Sequence, residues 1–182
     1  MRVRLHLLVT LFCCALACFS DIARADPASV CHAGESALEA FIPCLRVEFA
    51  KQGGTQFPAC DSSSPLYFVV GRRAVGFGER SAFGKRSKGI TIETQAGALL
   101  RAPASGQILF AGEWRSYGPL VIIDAGCGRD VLLMGPVVFG VAGGERLACG
   151  DPIGHVSAPD SGVQPVIYYE VWQDGRPIDP GG

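Results

Sequence analysis

The sequence predicts a mainly β protein, a compact antiparallel β domain preceded by a short N-terminal helical segment. Three observations carry this. Gly makes up 24 of 182 residues and Pro another 12, and a Gly share near double the usual one suits short strands and tight turns better than long helices. Short apolar stretches recur from Leu66 onward, separated by Gly, Pro and Asp-Gly turn signals. Ahead of them, Leu38, Phe41, Ile42, Leu45 and Phe49 fall at helical spacing. The formal charge of -1 leaves no basic excess to neutralise a phosphate backbone, so nucleic acid is excluded as a partner class.

Along the chain, Arg2 and Arg4 form a basic start, Leu7–Phe19 an apolar run and Ala23-Arg24-Ala25 a small-residue cleavage site. The run is too short for a bilayer core, which needs about 20 residues. Residues 1–25 are therefore expected to be a cleaved export signal, placing the protein in the periplasm and not in the membrane. A lipoprotein box at Leu16-Ala17-Cys18 is the weaker reading, since Ala15 stands where a larger aliphatic is preferred. Residues 26–65 form the second unit, a helical, cysteine-containing segment and linker. Pro43 would break or kink its helix, so two short helices are as well supported as one. Residues 66–182 form the β domain. Strands are expected at Leu66–Val70, Lys88–Thr94, Leu99–Arg101, Gly106–Glu113, Leu120–Ala125, Asp130–Met134, Glu145–Leu147, Ile153–Val156 and Val166–Gln173. Asp174-Gly175 closes a tight hairpin onto Arg176-Pro177-Ile178.

After export the chain keeps 13 basic and 16 acidic residues, from 16 and 17 less Arg2, Arg4, Arg24 and Asp21. It keeps five cysteines, Cys31, Cys44, Cys60, Cys127 and Cys149. In an oxidising compartment disulfides are expected, and the odd number leaves one thiol over. Spacings of 13, 16, 67 and 22 contain no CxxC pair, which disfavours a zinc knuckle. The glycine-flanked run from Gly78 to Lys85 fails as a phosphate loop, because Arg86 stands where Ser or Thr must reach magnesium. No GxSxG elbow occurs, and His155 has no nucleophile beside it. Arg72, Arg73, Arg80, Lys85, Arg86 and Lys88 could grip an anion, although a solvated face is the simpler reading.

The order of Gly76-Phe77-Gly78-Glu79, Ser87-Lys88-Gly89-Ile90, Ala102-Pro103-Ala104-Ser105-Gly106, Ser116-Tyr117-Gly118, Gly126-Cys127-Gly128, Tyr168-Tyr169-Glu170 and Asp174-Gly175-Arg176-Pro177 resembles a LytM domain, the fold of lysostaphin-type zinc peptidases. The wording around Phe77-Gly78-Glu79 is most similar to the EnvC-type murein hydrolase activators, whose LytM domain has lost its metal. The resemblance places Ser87 and Thr91 at the His and Asp of the family's HxxxD motif. It sets Ala125-Gly126 at the central His-Gly, Leu133-Met134-Gly135 at Tyr-x-His, and Val166 and Tyr168 at the terminal His-x-His. Zinc catalysis needs imidazole or carboxylate donors and an open position for water. The resemblance therefore implies no metal, no cofactor and no enzyme activity.

It implies instead a groove that binds a regulatory helix of a periplasmic N-acetylmuramyl-L-alanine amidase, or another cell-wall hydrolase, and activates it. The lining expected from the resemblance is Thr91, Glu93, Leu133, Tyr168 and Glu170, with Trp114, Arg115 and Tyr117 on the adjoining loop. The alternative is a peptidoglycan-binding or structural envelope protein whose groove holds a glycan strand or stem peptide uncut. The LytM fold brings the hairpin regions of Cys127 and Cys149 near one another, so a Cys127–Cys149 bridge is the leading expectation; two of Cys31, Cys44 and Cys60 would then staple the helical segment to the β domain, which is not a family feature. That segment, Ser29 to Ala50, either covers the groove until a partner displaces it or simply completes the core. EnvC-type activators carry a coiled coil ahead of the domain, so recruitment to a division site is not carried over.

Overall fold

The computed structural model describes residues 27–32, 37–51, 68–80, 84–158 and 162–181. The expected export signal, the linker from residue 52 and Cys60 lie outside them. Helix α1 (Pro27–His32) is followed by α2 (Leu38–Lys51). The strands are β1 (Arg72–Val75), β2 (Ile90–Glu93), β3 (Leu99–Arg101), β4 (Gly106–Trp114), β5 (Gly118–Gly126) and β6 (Arg129–Met134). They continue as β7 (Val137–Phe139), β8 (Arg146–Leu147), β9 (Pro152–Val156), β10 (Val166–Gln173) and β11 (Arg176–Ile178).

Every described pairing between strands is antiparallel, as the sequence predicts. The large sheet runs β1-β2-β10-β6-β5-β4-β8, with β11 paired to β10 past the Asp174-Gly175 turn. Both turn residues take positive φ, 50° and 77°, the backbone a two-residue hairpin requires. A second sheet, β3-β9-β7, packs on one face of the first. Between them Leu100, Val137, Ile153 and Val156 meet Ile90, Ile92, Val121, Ile123, Val131, Leu133, Ile167 and Tyr169.

Alternation sends the other set of side chains to the opposite face. There Leu109, Phe110, Trp114, Leu120, Ile122, Leu132 and Trp172 pack against Phe41, Ile42, Leu45 and Phe49 of α2. Phe41 lies 4.0 Å from the Trp114 ring and edge-on to Phe110 at 5.5 Å. Helix α2 continues through Pro43, which is exposed, so of the two readings left open at that residue the unbroken helix is the one formed.

Two expectations are corrected. Phe68 and Val69 are buried in the core but lie in a bend, and the first strand begins at Arg72. The expected Cys127–Cys149 bridge is not formed, both residues being exposed thiols. Cys127 follows β5 and Cys149 follows β8, on opposite sides of β4. Two strand spacings, about 9.6 Å, exceed the roughly 7 Å a disulfide can span. The bridge present joins Cys31 to Cys44, so it staples α1 to α2 and not to the β domain.

Candidate functional site

Strands β2, β10 and β6 lie side by side, and their register fixes which residues share a face. Tyr168 stands opposite Thr91 on one side and Met134 on the other, while Val166 stands opposite Glu93. Ile90, Ile92, Ile167 and Tyr169 turn into the core between the sheets. Thr91, Glu93, Val166 and Tyr168 therefore form one row on the outer face. They are half-buried, apart from Val166 at 41% exposure. Ser87 reaches the same place just before β2, close enough to hydrogen-bond the Tyr168 side chain. Gly89 allows this approach, because a Cβ there would sit 2.2 Å from the Tyr169 carbonyl oxygen.

At the α2 end of the row, a cleft of about 270 Å³ opens between the helix and β10. Leu38, Glu39, Lys88, Tyr117, Met134 and Trp172 line it together with Tyr168 and Glu170. Lys88 Nζ donates to Glu39 Oε1 at 2.9 Å and lies 5.9 Å from the Trp172 ring centre. The pairing lowers the Glu39 pKa and raises that of Lys88. The Tyr168 hydroxyl donates to Glu170 Oε1 at 3.4 Å. Burial pushes the Tyr168 phenol up to about 12, helped by the Glu170 charge. Burial likewise raises the Glu170 carboxyl, against the lowering effect of Trp172, Lys88 and Tyr168.

The expected lining is only partly assembled. Thr91, Glu93 and Tyr168 share the outer row, with Glu170 buried beside them. Tyr117 is 63% exposed at the rim. Arg115, next to it, is exposed with φ of 46° and its guanidinium 5.3 Å from the Trp114 ring. Trp114 itself is 0% exposed, packed under Phe41, and offers no surface. Leu133 pairs with Tyr169 and faces the other core, so Met134 takes the place expected of it. Alternation cannot choose between them in Val131-Leu132-Leu133-Met134, where every residue is apolar. Glu39 and Trp172 carry no motif that marks them as site residues, and Lys88 was singled out as one of a run of cations and not as groove lining.

Residues 85–180 match the family model described as Peptidase family M23. The chain belongs to that family. Among curated proteins it is 27% identical over 177 residues to the Murein hydrolase activator EnvC of Escherichia coli, covering 88% of this chain and 42% of that protein. It is 30% identical over 107 residues to an uncharacterized protein of Haemophilus influenzae, covering 58% and 26%. The chain thus spans less than half the length of these relatives. Among solved structures, a zinc containing peptidase from Vibrio cholerae aligns with TM-score 0.56 and 17% identity, covering 68% of this chain and 40% of that one. Lysostaphin from Staphylococcus simulans aligns with TM-score 0.55 and 18% identity, covering 65% and 51%. At such identities these two likenesses speak for the fold alone.

For an M23 chain, the donor set decides whether zinc fits. Ser87, Thr91 and Tyr168, three positions expected to correspond to metal ligands, do converge. They bring two aliphatic hydroxyls and a phenol whose ionisation is pushed further out of reach. Zinc sites are built from thiolate, imidazole and carboxylate, so these residues do not fit the metal. Ala125, expected at the central histidine, is buried in the inter-sheet core. Among the described residues no group of three His, Cys, Asp or Glu is placed to hold an ion.

A second polar cluster anchors α2. Arg46 donates through Nε and Nη2 to Asp130 Oδ1, at 3.2 and 2.8 Å, and through Nη2 to Asp124 Oδ1 at 3.2 Å. Burial raises the Asp130 carboxyl to about 6 even though Arg46 opposes the shift.

Proposed function

We propose that this M23 chain is a non-catalytic regulator of cell-wall remodelling, which works in the periplasm by binding and activating a peptidoglycan amidase of the N-acetylmuramyl-L-alanine class. The observation that supports it best is the row Thr91, Tyr168, Met134 beside the cleft. In this reading the cleft corresponds to a peptidase groove and carries hydroxyls at the positions expected of metal donors. Similarity to a murein hydrolase activator over most of this chain points the same way. An amphipathic helix laid in the groove would present apolar side chains to Val166, Met134 and Tyr168 and polar ones to Glu93 and Lys88.

The test is to add the exported protein to its host's amidase on purified peptidoglycan and follow release of soluble fragments. Stimulation by the protein, with no release by the protein alone, supports the reading. Release without any amidase present, or no stimulation at saturating protein, overturns it.

A further inference from the structure

The six cations from Arg72 to Lys88 are not used by the groove as a set, and they are unevenly placed. Residues 71–93 hold six basic and two acidic residues, whereas the rest of the exported chain holds seven basic and fourteen acidic ones. A segment of formal charge +4 therefore sits on a remainder of -7.

The fold displays this segment along one side of the large sheet. Strand β1 is the edge strand, with Arg72 and Arg73 exposed, and ahead of β2 the Gly78 N–H donates to the Ser87 carbonyl and the Ser87 N–H to the Glu79 carbonyl, each at 2.8 Å. Within that segment Arg80 and Arg86 stand directly opposite one another on an isolated antiparallel bridge. Like charges directly opposite on paired strands destabilise, so this pair is not explained by folding. Among the described residues each guanidinium donates to a nearby carbonyl in its own loop, Arg80 to Gly84 at 3.3 Å and Arg86 to Gly78 at 3.0 Å. Arg72 is paired with Glu93 and Lys88 with Glu39. Arg73, Arg80, Lys85 and Arg86 have no carboxylate partner among the described residues, and all four are exposed.

We infer that this cationic edge is a second binding surface, separate from the groove, for a polymer bearing many carboxylates. Resting on the cell-wall reading above, that polymer is peptidoglycan, whose stem peptides carry free carboxylates at short intervals. Four exposed cations without carboxylate partners among the described residues suit a repeating anion better than one pocket suits a single ion, because each can take a separate carboxylate. The arrangement would hold the protein on the substrate of its partner enzyme while leaving the groove free. Such an attraction between exposed charges weakens with salt, as the screening length falls from about 8 Å at 0.15 M to about 3 Å at 1 M.

The experiment is co-sedimentation of the exported chain with purified peptidoglycan, between about 0.05 and 1 M salt, about a 20-fold range of ionic strength, beside Arg80→Gln/Lys85→Gln/Arg86→Gln and, as a milder variant, Lys85→Gln alone. The expected result is binding that fades with salt and is weakened roughly tenfold or more in the triple variant. The single variant should lie between, with thermal unfolding no lower in either, because the sites are exposed and the triple variant removes the opposed Arg80 and Arg86 charges. Equal sedimentation of all three proteins overturns the inference, as does sedimentation that ignores salt. Stronger co-sedimentation with vesicles of anionic phospholipid than with peptidoglycan also overturns it, in favour of a lipid surface. Amidase stimulation in the same samples separates the two readings. Stimulation without peptidoglycan binding leaves the groove function standing and removes this one, and binding without stimulation does the reverse.

Discussion

The outer face of the large sheet is divided into two halves that differ in what covers them. Over β4, β5 and β6 lies α2, with Phe41 and Leu45 fully buried and Arg46 reaching down to Asp130 and Asp124. Over β2 and the start of β10, the row Thr91, Glu93, Val166 and Tyr168 has no helix packed on it among the described residues. One half is finished as a hydrophobic interior. The other keeps half-buried polar and aromatic side chains at a surface, which suits an interface more than a core. Helix α2 thus completes the core, and its first turn also forms one wall of the cleft through Leu38 and Glu39.

The comparison can be broken most sharply at Phe41. Phe41→Ala should cost about 3–5 kcal/mol in denaturant unfolding, because it removes a buried ring stacked on Trp114. Losing the Cys31–Cys44 bridge should come next. Closing a loop with a sequence separation of 13 is worth about 3 kcal/mol in the chain-entropy account. Cys44→Ser, or reduction, should lower the melting temperature while amidase binding at low temperature persists.

Asp130 gives a pH signature of the covered half. Its carboxyl is raised by burial from 3.8 to about 6, so the folded state holds the proton more tightly than the unfolded chain does. The stabilisation linked to this group is fully present below about pH 4 and is lost as pH rises through about 6, an effect of order 2–3 kcal/mol. Melting curves from pH 4 to 7 should show the wild type losing more stability than Asp130→Asn over that window. Equal slopes would remove the assignment.

On the open half the effects should fall on binding. Tyr168→Ala should cost only about 1–2 kcal/mol of stability, being half-buried, yet abolish most amidase stimulation. A full loss of folding with Tyr168→Ala would place that residue in the core instead. The smallest effect is expected from Glu39→Gln, which breaks an exposed ion pair with Lys88 worth well under 1 kcal/mol. Unfolding measurements on single and double variants of Glu39 and Lys88 would read the coupling directly.

Much of the fold was legible in local pattern. Strand Val166–Gln173 and the Asp174-Gly175 turn fall where the sequence places them, because period-2 alternation and positive-φ turn residues act within a few positions. The groove was legible in part. Thr91 and Glu93 alternate with Ile90 and Ile92, which tells their face, whereas the uniformly apolar β6 gives no such clue and Leu133 was expected where Met134 stands. Trp114 was expected in the groove lining from the resemblance, but what buries it is Phe41, far away in the chain.

By itself the sequence determined the β architecture and the helical segment, which follow from side-chain identity and spacing along the chain; the resemblance alone sets Ser87, Thr91 and Tyr168 at positions expected of metal donors. Tertiary structure alone decided that α2 covers half of the outer face, that Arg46 closes on Asp130 across 84 positions, and that Cys31 pairs with Cys44 while β4 separates Cys127 from Cys149. Those outcomes depend on which elements pack together, a global balance of burial and register that no short window of sequence contains.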